Sequence, residues 1–136
     1  METVAIFGGA FDPFTMAHRN IVEQVLREHL ADEVIIIPTI VNYHREGKET
    51  FLNGRDKISI IEGLLEDIEY RNRVFVDPYE LNLLNNVSGN KDAFQKRRRF
   101  IDTLVEFKAR HPQYRDQKIK FIIGTDRKST RLNSIT

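Results

Sequence analysis

Two hydrophobic periods alternate along this chain. Residues 3–7 form a short apolar run, TVAIF, and from Ala17 onward Ile21, Val22, Val25, Leu26 and Leu30 recur three and four positions apart. The first pattern suits a buried strand and the second an amphipathic helix. EVIIIP at residues 33–38 then reads as a strand ended by proline, and residues 42–53 as a polar loop. A second helix over residues 55–68 carries Ile58, Ile61, Leu64, Leu65 and Ile68, with Asn53 placed to cap it. RVFVD at residues 73–77 is a third strand. A polar passage through NNVSGNKD leads into a helix over residues 93–110, with Phe94, Ile101, Leu104, Val105 and Lys108 near one side, and KIKFIIG at residues 118–124 closes as a fourth strand. Such alternation predicts an α/β fold, a doubly wound parallel sheet with helices on both faces.

The first strand-to-helix junction holds the most distinctive string, FGGAFDPFTMAH, residues 7–18. The first N–H groups of a helix have no internal partners and carry the positive end of its dipole, so a phosphate placed there is stabilised. Gly8 and Gly9 let backbone and ligand approach closely. Pro13 biases Asp12 away from helix, and Thr15 as N-cap puts His18 in the first turn. Thr15 and His18 then face one anion, and the imidazole can donate to phosphoryl oxygens, most strongly as negative charge grows in a transition state. FIIGTD, residues 121–126, follows the fourth strand. If that strand lies beside the first, Gly124 and Asp126 meet the glycine turn across the crevice where strand order reverses.

The string GG-A-FDP-x-T-x-A-H resembles the first motif of the nucleotidyltransferase superfamily, G-x-FDP-x-[TH]-x-G-H, with Ala17 where the family usually has Gly. The resemblance implies a Rossmann-like sheet and adenylyl transfer, in which a mononucleotide's phosphate attacks the α-phosphorus of ATP and pyrophosphate leaves. It assigns His18 and Thr15 to phosphate stabilisation, Gly8, Gly9, Ala10 and Phe11 to backbone contacts with ATP, and Gly124 and Asp126 to the nucleoside. FIDTLVEF, then HP and FIIGTD, is similar to the [ST]YT-x-DTL…P…IIGxD run of nicotinate mononucleotide adenylyltransferases, and Glu80 suits their pattern. Asp102 and Thr103 thereby join the candidate substrate-binding residues, as do His44, Arg45, Lys48 and Arg55, which stand where relatives carry basic residues. Arg98, Arg99 and Phe100 replace the family's Ser-Tyr-Thr near its pyridine-nucleotide pocket, so nicotinamide mononucleotide and phosphopantetheine stay open as acceptors, and the missing second motif keeps open a non-catalytic nucleotide-binding module. The resemblance also implies Mg²⁺ carried on the triphosphate, with no metal site of the protein's own.

Composition narrows the class. The 136 residues, 40% of them apolar, suit one small domain. No stretch approaches the roughly 20 apolar residues of a membrane span, and the N-terminus has no signal-like pattern, so a cytoplasmic location is expected. The absence of Cys excludes disulfides and thiolate metal sites. A formal charge of +1 argues against a broad nucleic-acid surface, so any phosphate binding is local. The family's second motif, ISSTxxR, does not occur in these residues. The expectation is therefore a domain over residues 1–126, incomplete at its C-terminus in a truncated or altered form, and a polar tail at residues 127–136. Without a fifth strand the sheet would keep an exposed edge, an association hazard that makes a homo-oligomer an expectation.

Overall fold

A computed structural model describes residues 2–39, 52–86, 100–125 and 129–135. In chain order the elements are β1 (Thr3–Gly9), α1 (Met16–Arg27), β2 (Glu33–Pro38), α2 (Gly54–Leu65), β3 (Val74–Val76), α3 (Tyr79–Asn86), α4 (Phe100–Arg110), β4 (Lys118–Thr125) and β5 (Ser129–Ile135). The strands form one sheet in the order β3-β2-β1-β4-β5. The first four are parallel, as the alternating pattern predicts.

Side-chain alternation explains the two layers of core. In β1, Ala5 and Phe7 turn to one face with Val34 and Ile36 of β2, and there meet Val22, Val25 and Leu26 of α1 and Ile61 and Leu65 of α2. Val4 and Ile6, with Ile35, Ile37 and Ile119, turn to the other face and meet Leu104 and Phe107 of α4. Each fully buried aliphatic contributes roughly 1.5–3 kcal/mol, so strands apolar on both faces are covered on both. β1 sends the chain to β2 on one side, while β4 returns to lie beside β1 on the other, with Thr3 opposite Lys118 and Ile6 opposite Phe121. Strand order thus reverses between β1 and β4, the place where an open α/β sheet binds ligands.

Several elements depart from expectation. α1 stops at Arg27 because His29, at φ 57°, closes a Schellman turn in which Leu30 N–H donates to the Val25 carbonyl at 2.9 Å and His29 N–H to that of Leu26 at 3.2 Å. Leu30 is consequently 40% exposed rather than core. α2 ends at Leu65, yet Ile68 is still buried just beyond it. Val105 is 62% exposed, because Thr103, Leu104 and Phe107 make the buried stripe of α4 and one residue turns a helix by about 100°. Phe94 and the first part of that expected helix lie outside the described residues. α3 occupies sequence read as polar passage. Its signal is Asp77-Pro78-Tyr79-Glu80, in which the Asp77 carboxylate accepts from Tyr79 N–H at 3.0 Å.

The expected absence of a fifth strand is corrected in the same way. Ser129–Ile135 forms β5, antiparallel to β4, with Thr125 opposite Ser129 and Ile119 opposite Ile135. Ladder hydrogen bonds come from the backbone, so a polar sequence can pair, and an antiparallel neighbour needs only a short connection. β4 is therefore an interior strand. No helix among the described residues is long and apolar enough to cross a membrane.

Candidate active site

The glycine turn sits where β1 hands the chain to α1, at the strand-order reversal. Gly8 and Gly9 end β1, and the Gly9 carbonyl accepts from Thr39 N–H at 2.9 Å, which carries the β1–β2 pairing one step past Gly9 and Pro38. A Cβ added at Gly9 would come no closer than 3.4 Å to any neighbour, the Phe11 ring. Protein packing thus leaves room for a methyl group there. Ala10 is half-buried. Phe11 stands at φ 46°, a left-handed conformation that costs a bulky residue of order 1–3 kcal/mol. Its buried ring offsets that cost by meeting Phe7 edge-on at 5.1 Å, Phe14 at 5.3 Å and His18 at 5.2 Å.

These rings form an aromatic box around His18. Phe14 stacks on the imidazole at 5.2 Å and 23°, and Phe7 lies 5.9 Å away. Thr15 caps α1 in extended conformation, as the sequence predicts. Its backbone N–H donates to His18 Nδ1 at 2.9 Å, and its hydroxyl lies 3.0 Å from the same nitrogen. The imidazole takes the part that Glu or Gln plays in a capping box. With Nδ1 accepting, the neutral ring carries its proton on Nε2. Burial lowers the His18 pKa from 6.5, which favours that neutral form. Among the described residues Nε2 has no hydrogen-bond partner. The site therefore presents an oriented, uncharged N–H donor in the first turn of a helix.

α2 braces the turn from outside. The Asp12 carboxylate accepts from Leu52 N–H at 2.8 Å, just ahead of the Asn53 cap, whose side chain accepts from Asp56 N–H at 2.8 Å. Arg19, next to His18, donates through Nε to the Leu64 carbonyl at 2.9 Å and lies 3.3 Å from Asp67. Lys57, buried to 1% exposure, donates to the Thr39 carbonyl at 2.6 Å. Sequence reasoning missed Lys57. The available signal was a lysine four residues before Ile61, on the apolar stripe of α2.

The other candidates scatter. Arg55 is exposed in the first turn of α2, and Ala17 is exposed in that of α1. Thr103 donates its hydroxyl hydrogen bond to the Glu80 carboxylate, and both are fully buried, so the pair ties α4 to α3. Asp102, beside it, is partly exposed. Gly124 lies in the last turn of pairing of β4, opposite Thr130. His44, Arg45, Lys48 and Asp126 lie outside the described residues. What the described residues bring together is Gly8 to Phe11, Thr15 and His18.

Comparison with known proteins bears on the family and the fold. A probable nicotinate-nucleotide adenylyltransferase of Aliarcobacter butzleri is 30% identical over 129 residues, covering 90% of this chain and 57% of its own length. A phosphopantetheine adenylyltransferase of Clavibacter michiganensis is 29% identical over 84 residues, 62% of this chain and 48% of its own. The chain spans about half the length of the curated relatives it matches. Among solved structures, nicotinic acid mononucleotide adenylyltransferase of Plasmodium falciparum, complexed with NaAD, superposes with a TM-score of 0.54 at 12% identity, over 89% of this chain and 51% of that one, which shows a common fold. The family description "Cytidylyltransferase-like" matches residues 6–130, a span running from β1 through the glycine turn and His18 to the start of β5. With that match over most of its length, the chain belongs to the cytidylyltransferase-like family.

Proposed function

We propose that the turn from Gly8 to His18 binds the phosphates of ATP and that this protein transfers the adenylyl group to nicotinate mononucleotide, releasing pyrophosphate. The observation that carries this reading is His18, held by Thr15 as a neutral Nε2–H donor at the head of α1. In the reaction an oxygen of the acceptor's phosphate attacks the α-phosphorus of ATP and the bond to the bridging oxygen of pyrophosphate breaks. Negative charge grows on the leaving oxygens. A fixed N–H donor and unpaired helix N–H groups stabilise that charge without reorganising, and no covalent nucleophile is required. Alignment of the two anions supplies the rest. Mg²⁺ enters as part of the Mg·ATP substrate, where it neutralises phosphate charge.

Nicotinate mononucleotide is favoured as acceptor because relatives named for that activity align along about nine-tenths of the chain. Phosphopantetheine is the second reading, supported by the shorter alignment with a relative named for it. Offering nicotinate mononucleotide, nicotinamide mononucleotide and phosphopantetheine separately with Mg·ATP, and following pyrophosphate, decides between them. The proposal expects the largest kcat/KM for nicotinate mononucleotide. Preference for phosphopantetheine would replace it with the second reading.

A further inference from the structure

Lys57 is an anomaly in the core. It occupies the inward stripe of α2 with Ile61 and Leu65 and is only 1% exposed. Removing an ammonium from water costs several kcal/mol before any partner offsets it, and apolar replacements of buried charges are often neutral or stabilising. A lysine held in such a place needs a task that methionine cannot do.

The hydrogen bonds indicate the task. The Lys57 ammonium donates to the Thr39 carbonyl at 2.6 Å, a short charge-assisted bond. Thr39 is itself 1% exposed, and its N–H donates to the Gly9 carbonyl at 2.9 Å. Thr39 is thus gripped on both sides, by α2 through its carbonyl and by the glycine turn through its N–H. It also makes the last backbone tie between β1 and β2, one residue past the Gly9–Pro38 pair. A second tie runs in parallel, from Leu52 N–H to Asp12. The two ties join the turn to the lead-in and first turns of α2, at Gly9 and at Asp12.

We propose that Lys57 is a positioning residue for the phosphate-binding turn, fixing Gly9 against the end of β2 through the backbone of Thr39. The inference rests on the reading of that turn as the ATP site. Its physical content is that the ammonium holds the carboxyl edge of β2 in one place, so that the Gly8–Gly9 backbone meets the nucleotide in a prearranged geometry.

The test replaces Lys57 by Met in the full chain and measures two quantities: amide hydrogen exchange at Thr39, Val25 and Leu26 in the free protein, and the Kd for Mg·ATP. The expected result is exchange at Thr39 faster by about tenfold or more with Val25 and Leu26 unchanged, since the opening is local. Mg·ATP affinity should weaken by about tenfold, equivalent to about 1.4 kcal/mol. If the Met variant does not fold, Lys57→Gln, which keeps a donor without the charge, is read in the same way. Unchanged exchange at Thr39 overturns the proposal, as does equal acceleration at all three amides, which would mark Lys57 as a general stabiliser. Altered exchange with an unchanged Kd also overturns it. Should the unsubstituted chain fail to bind Mg·ATP, the functional reading is what falls, and the exchange comparison still decides whether Lys57 holds Thr39.

Discussion

His18 is placed so that one side chain can serve the fold and the proposed chemistry together. Its Nδ1 caps the Thr15 N–H, its ring fills a box of three phenylalanines, and only Nε2 is left for a ligand. Burial also gives it a pH signature. Because the folded pKa lies below 6.5, the unfolded chain binds more protons between the two values, so stability is fully present above 6.5 and declines as pH falls toward the folded pKa. His18→Asn keeps an acceptor for Thr15 and removes the titration. Urea midpoints compared from about pH 7.5 to about pH 5 should fall less steeply in the variant, and parallel curves would refute the assignment. At this scale much was legible: Thr15 as cap, Asn53 as cap and His18 in the first turn follow from local chemistry. The aromatic box was not, because Phe7, Phe11 and Phe14 converge only when Phe11 takes a left-handed φ that no propensity suggests. Lys57 was hidden for the opposite reason, since a lysine in a helix reads as solvated by default.

The elements obey their hydrophobic periods where both faces of a strand or one stripe of a helix are buried. β1, β2 and β4 fall within a residue or two of expectation for that reason. Ends and short polar elements were harder to read. α1 terminates two residues before a left-handed His29, a position at which glycine is favoured, and periodicity alone ran the helix on to Leu30. His29→Gly should therefore raise stability by about 1 kcal/mol, seen as a higher urea midpoint with an unchanged slope. A lower midpoint would mean that the imidazole makes a compensating contact. α3 was missed because its apolar residues are few, although Asp77-Pro78 and Glu80 form a start signal. β5 was missed because strand pairing does not require an apolar sequence. The buried Glu80–Thr103 bond matters at this scale as well, for it joins the helix after β3 to the helix before β4, the crossover that reverses strand order.

For the whole molecule, the decisive feature is that reversal. One face of the sheet is covered by α1 and α2 and the other by α4, and strand order changes side between β1 and β4, beside the glycine turn. The doubly wound architecture was legible from the alternation of periods. Its antiparallel fifth strand was not. The first motif pointed to the site because its residues lie together in sequence, whereas the Lys57–Thr39–Gly9 relay joins three separate elements and appears only after folding. His18 is proposed to stabilise charge on the phosphates of ATP during adenylyl transfer. The most direct measurement is pyrophosphate release from Mg·ATP and nicotinate mononucleotide by the chain and by His18→Ala, with thermal midpoints taken alongside. The unsubstituted chain should release pyrophosphate, and the variant should lose about 100-fold or more in kcat with folding retained. Equal release by the two proteins, or none by the unsubstituted chain, would contradict it.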